Sequence, residues 1–390
     1  MLSQLILPHS TLTILAYCCG AGVVFGIGYS LIAGLCLERF FAPPSPEPAV
    51  FPPITLVKPL CGAERALLGN LASFCDQDYP GPVQIVFGVN LATDPALQTI
   101  EELRRLYPAA NITVVSDSRL HGSNRKVSNL INMLPSAQHE VLVFADSDVR
   151  VPRNYLRSVV GELQQPGVGL VTCIYVGEPE QSIWSRLSAM STNCQFIPGA
   201  IMAITFGLAR PCFGQTIALN RATLEKIGGM EQFADHLAED HALGEAVRRS
   251  GYRVAIPSIA IGHDCVEVSF AKLLAHELRW NRTIHTIDPV GHACSALAHP
   301  LPFALLAVVL SGFSPWSLQL TGAALITRLA LKLWTDHLLG RSARDWWLQP
   351  FSDLVLFGLF AASFLSTRVS WRGFDFAVRE GGLLCAQEKK

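Results

Sequence analysis

The apolar positions of this chain fall into three regions, and the first is a long uninterrupted run. Residues 11–37 are almost wholly apolar or small and contain no Lys or Arg. The run exceeds the roughly 20 residues that a helix needs to span a bilayer. A secretory signal would have a basic start and a shorter apolar core, so we expect a membrane anchor over residues 1–40. Arg39 follows it, and the positive-inside rule predicts an outer N-terminus and a cytoplasmic remainder.

The second region alternates short apolar runs with helical spacing. Six prolines between residues 42 and 53 predict an extended linker over residues 41–53. Pro95–Leu106 has the spacing of a helix. Four buried strands are predicted: Ile54–Val57, Gln84–Val89, Ile112–Val115 and Val141–Phe144. This alternation indicates an α/β domain over residues 54–290, with a mostly parallel sheet covered by helices on both faces.

The third region lies between residues 291 and 367 and contains three further apolar stretches. Leu297–Ser311 and Leu318–Trp334 predict a membrane hairpin, joined by an uncharged Gly-Phe-Ser-Pro loop. Arginines flank the third stretch, Leu354–Leu365, on both sides, which favours a re-entrant or interfacial segment over a clean span. Residues 368–390 are then expected to form a cytoplasmic tail, in which Trp371–Val378 predicts a short strand or an interface anchor.

Composition supports a membrane protein and argues against a nucleic-acid partner. Only 16% of the residues are charged, against about 25% in ordinary globular chains, and the mean hydropathy is +0.33. The net charge is −1 and there is no basic run, so the chain lacks the electrostatic footprint of a nucleic-acid-binding protein. The 11 cysteines include no Cys-x-x-Cys pair, which favours small buried side chains in a reducing compartment over a zinc site.

Two carboxylates follow the predicted strand Val141–Phe144. Asp146 and Asp148 come where this strand should end, and ligands of open α/β sheets bind outside the carboxyl ends of strands. Two carboxylates one residue apart can hold Mg²⁺ or Mn²⁺ together with substrate phosphates. For this pair taken alone, a solvated turn is the alternative.

Three other polar positions lie at the predicted ends of strands or starts of helices. Asp94 follows the strand Gln84–Val89, where a helix cap or turn is the alternative to ligand binding. Lys126 lies in a polar loop entering a helix and could neutralise a phosphate, or simply belong to a capped surface helix. Asp240, preceded by Glu239, begins a predicted helix that ends near Gly251. It could act as a general base or only as a partner of the helix dipole.

A predicted interfacial helix near residues 269–287 carries a further constellation. His276, Arg279 and Trp280 are spaced to share one helix face. An Arg there could neutralise a diphosphate, and a flat Trp could pack against an acceptor. The alternative is an amphipathic helix on the membrane surface with its Trp at the interface.

Together these motifs resemble the membrane-anchored inverting glycosyltransferases of the family 2 and family 21 type. The order matches: Asp94, then Asp146-Ser-Asp148, then Glu-Asp240, then a variant of Gln-x-x-Arg-Trp in which His276 replaces the Gln. The ceramide glucosyltransferase-like group is most similar, on the following stretches: Val57–Gly62, Asn70–Phe74, Asp78–Pro80, Asp94–Ala96, Gly228–Gly229 and Trp371-Arg-Gly.

The resemblance implies a GT-A fold with N- and C-terminal transmembrane helices, and a cytoplasmic catalytic domain at a bacterial inner membrane. It implies that Asp148 and Asp146 hold Mg²⁺ or Mn²⁺, with the donor sugar or ribose as an alternative partner for Asp146. Asp240 would be the catalytic base. The remaining roles that it implies are donor binding by Asp94, Lys126, His276 and Arg279, and acceptor binding by Trp280.

Some stretches resemble the hopanoid-modifying members of this group, among them Gln84–Gly88, Leu120–Leu134 and Phe233–Leu237. This implies transfer of N-acetylglucosamine from its UDP-sugar to the membrane lipid bacteriohopanetetrol. Glucosylation of ceramide or diacylglycerol from UDP-glucose is the alternative. His276 in place of the usual Gln weakens a third reading, a processive polysaccharide synthase. An inactive membrane scaffold is the fourth, and the intact acidic motifs argue against it.

Overall fold

The computed structural model describes residues 9–365, 368–371, 374–378 and 384–386. These residues fall into two compact units. The first, called the helical unit, contains residues 9–41, 179–209 and 266–365. The second, called the sheet unit, contains residues 42–178 and 210–265 together with the strands after residue 368.

Helices and strands alternate through the first two thirds of the chain, and helices dominate the rest. The helices of the described residues are α1 His9–Phe41, α2 Leu67–Cys75, α3 Ala96–Leu106, α4 Arg125–Met133, α5 Tyr155–Leu163, α6 Ile183–Ser191, α7 Ile197–Thr205, α8 Arg221–Lys226, α9 Glu239–Arg249, α10 Phe270–Ile287, α11 Pro289–Cys294, α12 Pro300–Leu310, α13 Pro315–Leu338 and α14 Gln349–Ser363. The strands are β1 Ile54–Pro59, β2 Val83–Val89, β3 Asn111–Ser116, β4 Val141–Ala145, β5 Val149–Arg150, β6 Val168–Thr172, β7 Ile174–Pro179, β8 Thr216–Asn220, β9 Arg253–Ala255, β10 Ala260–Cys265, β11 Arg368–Trp371, β12 Phe374–Val378 and β13 Leu384–Ala386.

The main sheet of the sheet unit has seven strands in the order β3-β2-β1-β4-β8-β6-β9. Strands β3, β2, β1 and β4 are parallel, and β8 runs antiparallel to both of its neighbours, β4 and β6. All five residues of β4 are buried, as expected of a central strand covered on both faces. A second sheet has the order β5-β10-β7.

The predicted strands and the predicted helix after Asp94 are confirmed within one or two residues of their ends. The sheet is mostly parallel, as expected, but β8 gives it a mixed character that the sequence pattern did not indicate. The segment Trp371–Val378 is not one strand. Trp371 ends β11 and Phe374 begins β12, and these two strands pair antiparallel.

The boundary of the sheet unit also differs from the expected continuous domain over residues 54–290. Residues 179–209 and 266–290 belong to the helical unit instead. A short π-helical turn, Thr192–Phe196, separates α6 from α7 within the first of these segments.

In the helical unit, α1 packs closely against later helices through its small residues. A Cβ on Gly26 would lie 2.7 Å from the Cβ of Pro300, and one on Gly20 would lie 2.8 Å from the Trp316 ring. Apolar side chains on other faces of α1 are exposed, for instance Phe25 at 68%. Close approach at small residues, with large apolar side chains left outside, is typical of helices packed within a lipid bilayer.

Within the described residues, one helix, Ser10–Phe41, is long and apolar enough to cross a membrane. The pair Pro289–Ala298 and Pro300–Leu310 passes the same test only together and is bent by 64°. By itself α12 has 11 residues, about 16 Å at the helical rise, against a hydrocarbon core of about 30 Å. The expected C-terminal membrane hairpin therefore stays a prediction.

Buried charges interrupt the apolar pattern of α13 and α14. Arg328 Nη2 and Nε lie 2.8 and 3.0 Å from the two carboxylate oxygens of Asp353, and both side chains are almost fully buried. One turn further along α13, Lys332 pairs with Asp336 at 2.6 Å. Paired charges of this kind can be tolerated in an apolar environment, where single ones are costly.

Candidate active site

The two predicted metal-type aspartates lie in a tight turn at the end of the central strand. Asp146, Ser147 and Asp148, here called the acidic turn, connect β4 to β5. The main-chain N–H of Asp146 donates to the carbonyl of Gln215 at 3.4 Å, just before β8. The prediction that this pair follows the carboxyl end of a buried strand is confirmed.

Asp148 has the geometry of a cation ligand. Its Oδ1 atom is buried and has no hydrogen-bond partner in the described part of the chain. His263 Nδ1 lies 3.7 Å from this oxygen, which suits an ion pair but is too long for a hydrogen bond. Burial acts to raise the pKa of Asp148, but the attraction of His263, together with that of Lys126, outweighs it and lowers that pKa to about 2. Asp148 is therefore ionised at neutral pH.

A divalent metal fits this position. A buried carboxylate oxygen without a donor is a ligand that both Mg²⁺ and Mn²⁺ accept. No group of three or more His, Cys, Asp or Glu side chains is arranged to hold a metal among the residues described here. Asp148 would thus supply only part of a coordination shell, and substrate phosphates and water would supply the rest.

Asp146 has a different partner, because Lys126 binds it directly. Lys126 Nζ lies 2.6 Å from Asp146 Oδ1 and 3.0 Å from Glu239 Oε1. Burial opposes the charged form of Lys126, but attraction to these two carboxylates raises its pKa. Burial raises the pKa of Asp146, and Lys126 acts against that rise. Lys126 is therefore a fixed cation beside the acidic turn.

The loop before α4 holds Lys126 in place through the side chain of Asn124. Asn124 Oδ1 accepts from the N–H groups of Lys126 and Val127, at 3.0 and 3.2 Å, which makes it the N-cap of α4. Its Nδ2 atom donates to Glu239 Oε2 at 3.1 Å. The loop before α4 is thus tied to the start of α9, where Asp240 lies.

Asp240 occupies the first turn of α9, as predicted, in a site with little spare room. Its Oδ1 accepts from the His241 N–H at 2.8 Å, and a Cβ on Gly214 would lie 3.0 Å from its Oδ2. Burial and the neighbouring charge of Glu239 raise the pKa of Asp240 to about 7, although Lys126 acts in the opposite direction. A carboxylate with this pKa can accept a proton near neutral pH.

A cavity opens beside Lys126 inside the sheet unit. Its polar lining comes from Lys126, Asp146 and Glu239, and Gly214 leaves space at one side. Leu130, Ile217 and Met230 provide much of its apolar lining. Two of the predicted site residues, Lys126 and Asp146, therefore line this cavity, and Asp148 and Asp240 lie within two residues along the chain of lining residues.

Asp94 binds main-chain groups in this structure. One carboxylate oxygen accepts from the N–H of Ala96 at 2.9 Å and from that of Gly62 at 3.0 Å. Gly62 has a φ of +78°, a conformation that suits glycine. Asp94 therefore joins the loop after β1 to the start of α3, and its expected role at the uridine stays a prediction.

The remaining predicted residues lie on α10 in the helical unit. His276 Nδ1 is hydrogen-bonded to the Glu267 carboxylate, and the His276 ring meets Trp280 edge-on at 4.7 Å. The shared helix face is confirmed for this pair. Burial acts to raise the pKa of Glu267, but its bond to His276 lowers it. Arg279 lies on the same helix, two residues after the buried Glu277.

Besides Glu239 and Asn124, three further residues with clear contacts were not predicted as site residues: His263, Glu267 and Lys58. Lys58 is fully buried at the end of β1, and its Nζ atom donates to the main-chain carbonyl of Asp146 at 2.7 Å. Burial lowers its pKa to about 7. The sequence signal that could have identified Lys58 and His263 is an ionisable residue within a largely apolar strand. It occurs in Ile-Thr-Leu-Val-Lys, which ends at Lys58, and in Ala-Ile-Gly-His, which ends at His263.

The fold of this chain is similar to that of solved glycosyltransferases. A solved structure with similar architecture is the mannosyltransferase PcManGT from Pyrobaculum calidifontis in complex with GDP-Man and Mn²⁺. The TM-score is 0.52 at 21% identity, and the match covers 90% of this chain and 99% of that one. The likeness establishes the expected GT-A-like fold.

The family follows from the sequence comparison. The model of glycosyl transferase family 21 matches residues 19–384, and the chain belongs to that family. Ceramide glucosyltransferase 1 of Caenorhabditis elegans is 21% identical over 236 residues, 60% of this chain and 50% of that protein. An N-acetylglucosaminyltransferase of Azorhizobium caulinodans is 22% identical over 231 residues, 56% of each chain. The chain thus spans about half the length of these curated relatives.

Proposed function

We propose that this protein is an inverting lipid glycosyltransferase, which moves a sugar from a UDP-sugar to a hydroxyl group of a membrane lipid. The observation that carries the proposal is the pairing of two carboxylates with opposite properties in one site. Asp148 is ionised and has an oxygen without a donor, whereas Asp240 has a pKa near neutrality. The first suits a metal ligand and the second suits a general base.

On the donor side, Asp148, with Asp146, would hold Mg²⁺ or Mn²⁺ against the diphosphate. The bound metal would polarise the departing UDP and neutralise its growing charge. Lys126, already charged between Asp146 and Glu239, adds a fixed positive charge at the same place. From the family motifs we assign uridine or ribose binding to Asp94, and diphosphate contacts to His276 and Arg279.

On the acceptor side, Asp240 would remove the proton of the lipid hydroxyl, which then attacks the anomeric carbon from the face opposite the leaving group. Inversion in one step needs a base and an activated leaving group, but no carboxylate nucleophile. The family motif assigns acceptor contact to Trp280. The long apolar helix Ser10–Phe41 supports a membrane location. We place the protein in a bacterial inner membrane, with its catalytic part in the cytoplasm.

For the substrates we propose N-acetylglucosamine as the sugar and bacteriohopanetetrol as the lipid. The hopanoid-type stretches of the sequence support both, and the relative named as an N-acetylglucosaminyltransferase supports the sugar. The second candidate is transfer of glucose to ceramide or diacylglycerol. The family and the relative named as a ceramide glucosyltransferase favour it.

The test is release of UDP by the purified full-length protein in lipid-detergent micelles. We expect release to require both a divalent metal and a lipid acceptor. Asp240→Asn should abolish transfer and leave UDP binding nearly intact, because an amide cannot accept the proton. Near-normal turnover of Asp240→Asn would refute the assignment of Asp240 as the base. UDP release that does not depend on the lipid acceptor would refute the proposed reaction.

A further inference from the structure

The acidic turn is held from behind through its main-chain carbonyls. The Asp146 carbonyl accepts from Lys58 Nζ at 2.7 Å, and the Ser147 carbonyl accepts from Asn70 Nδ2 at 3.4 Å. The Asp148 carbonyl accepts from the N–H of Asp264 at 3.0 Å. Three successive peptide groups are therefore each fixed by a donor from a different element: β1, α2 and β10.

Lys58 is the most unusual of these three donors. Its side chain is fully buried, and its ammonium group lies 3.6 Å from the centroid of the Phe74 ring. Buried lysines are rare, and burial of an ammonium group is costly even when it is paired. An apolar side chain in the same space would avoid that cost. The hydrogen bond to the Asp146 carbonyl is the specific contact that an apolar residue could not make.

We infer that Lys58 is a positioning residue, which holds the acidic turn in the conformation that binds metal and diphosphate. Fixing the Asp146 carbonyl fixes the first of the two peptide planes between the carboxylates, so that Asp146 meets Lys126 and Asp148 meets His263. Groups that hold a metal ligand in place commonly determine how well the ligand binds. The inference rests on the proposed function, because it assumes that the acidic turn binds a metal.

Positioning and simple electrostatics predict opposite results when Lys58 is replaced. A nearby positive charge repels a metal cation, so its loss alone should strengthen metal binding. Loss of the hydrogen bond should instead free the turn and weaken metal binding. Because positioning dominates in our account, we expect Lys58→Met to weaken Mn²⁺ binding about tenfold, which corresponds to about 1.4 kcal/mol.

The experiment measures Mn²⁺ binding to the full chain in detergent micelles by electron paramagnetic resonance, with UDP at saturation. Lys226→Met is the matched control. Lys226 also lies over an aromatic ring, with its ammonium 4.3 Å from the Tyr252 centroid, but it is exposed at the end of α8. We expect the control to bind Mn²⁺ like the wild type. Equal or tighter binding by Lys58→Met would overturn the inference.

A second variant covers the case in which Lys58→Met does not fold. Asn70→Leu removes the donor to the Ser147 carbonyl, together with its hydrogen bond to the Asp264 carboxylate, changes no net charge and leaves Lys58 in place. Positioning predicts weaker Mn²⁺ binding for this variant too, and unchanged binding would count against it. If the wild type itself binds no Mn²⁺ in the presence of UDP, the proposed function fails together with this inference. Wild-type binding with unaffected variants overturns the inference alone.

Discussion

The pKa of Asp240 leads to a specific pH dependence of the reaction. A general base works only in its ionised form, and burial next to Glu239 raises the pKa of Asp240 to about 7. For one group with that pKa, the ionised fraction is about 9% at pH 6 and about 91% at pH 8. We therefore expect kcat/KM for the UDP-sugar to rise about tenfold between pH 6 and pH 8.

The charge of Glu239 can be removed to test where this pKa comes from. Glu239 raises the pKa of Asp240, so Glu239→Gln should lower it and move the acid limb of the pH profile to lower pH. Lys126 keeps its second partner, Asp146, in this variant. Glu225→Gln is the control, because Glu225 is an exposed residue of α8 that is not among the groups shifting Asp240.

The assay is UDP release at a series of pH values with metal and lipid acceptor at fixed saturating concentrations. The direction in which the acid limb of the pH profile shifts is the critical result. A limb that moves to higher pH in Glu239→Gln, or a profile that is flat from pH 6 to pH 8 in the wild type, would refute the assignment of Asp240 as the base. A shift of equal size in Glu225→Gln would show that the effect does not come from the neighbouring carboxylate.

Three other predictions concern groups around the site and in the helical unit. Asp148→Ala should lose the Mn²⁺ dependence of UDP binding, measured by calorimetry with and without metal, and unchanged dependence would contradict its role as a ligand. Lys126→Met should move the acid limb to higher pH, opposite to Glu239→Gln, because Lys126 lowers the pKa of Asp240. Asp353→Asn leaves buried Arg328 without its counter-ion and should destabilise the protein by about 3–5 kcal/mol. Its melting temperature in detergent should fall, and Arg328→Met combined with Asp353→Leu should recover most of the loss.

The sheet and the acidic turn could be predicted from sequence because both depend on local pattern. A continuous run of apolar residues marks β4 as a buried strand, and the carboxylates come where the run stops. The start of α9 was equally readable, since Glu239 and Asp240 precede helical spacing. Long apolar runs also revealed α1, which needs no knowledge of its partners to be recognised.

Contacts between distant parts of the chain could not be read in this way. Lys58 and the Asp146 carbonyl are 88 residues apart, and Asp148 is brought to His263 only when β5 pairs with β10. The antiparallel direction of β8 depends on how the chain returns after α7, and local periodicity does not encode that path. Asp94 shows the same limit, because its pattern fitted both a loop anchor and a ligand-binding residue.

The partners of the buried charges in the helical unit could not be predicted for a related reason. Hydropathy treats each stretch separately. It predicted Leu318–Trp334 as the second helix of a membrane hairpin in spite of Arg328 and Lys332. In the structure these two charges are buried against Asp353 and Asp336, so their cost is offset by partners that lie elsewhere in the sequence or one turn away.

The central claim is transfer of one sugar to a membrane lipid, and product analysis tests it most directly. The purified protein is incubated with UDP-N-acetylglucosamine or UDP-glucose, each with bacteriohopanetetrol or ceramide, and the lipids are examined by mass spectrometry and by the anomeric signal in NMR. We predict a single N-acetylglucosamine on bacteriohopanetetrol, with the anomeric configuration inverted relative to the donor. Glucosylceramide as the product would show that the reaction type is correct but that the proposed sugar and lipid are wrong. A retained configuration, a sugar polymer, or no glycolipid in any combination would contradict the account.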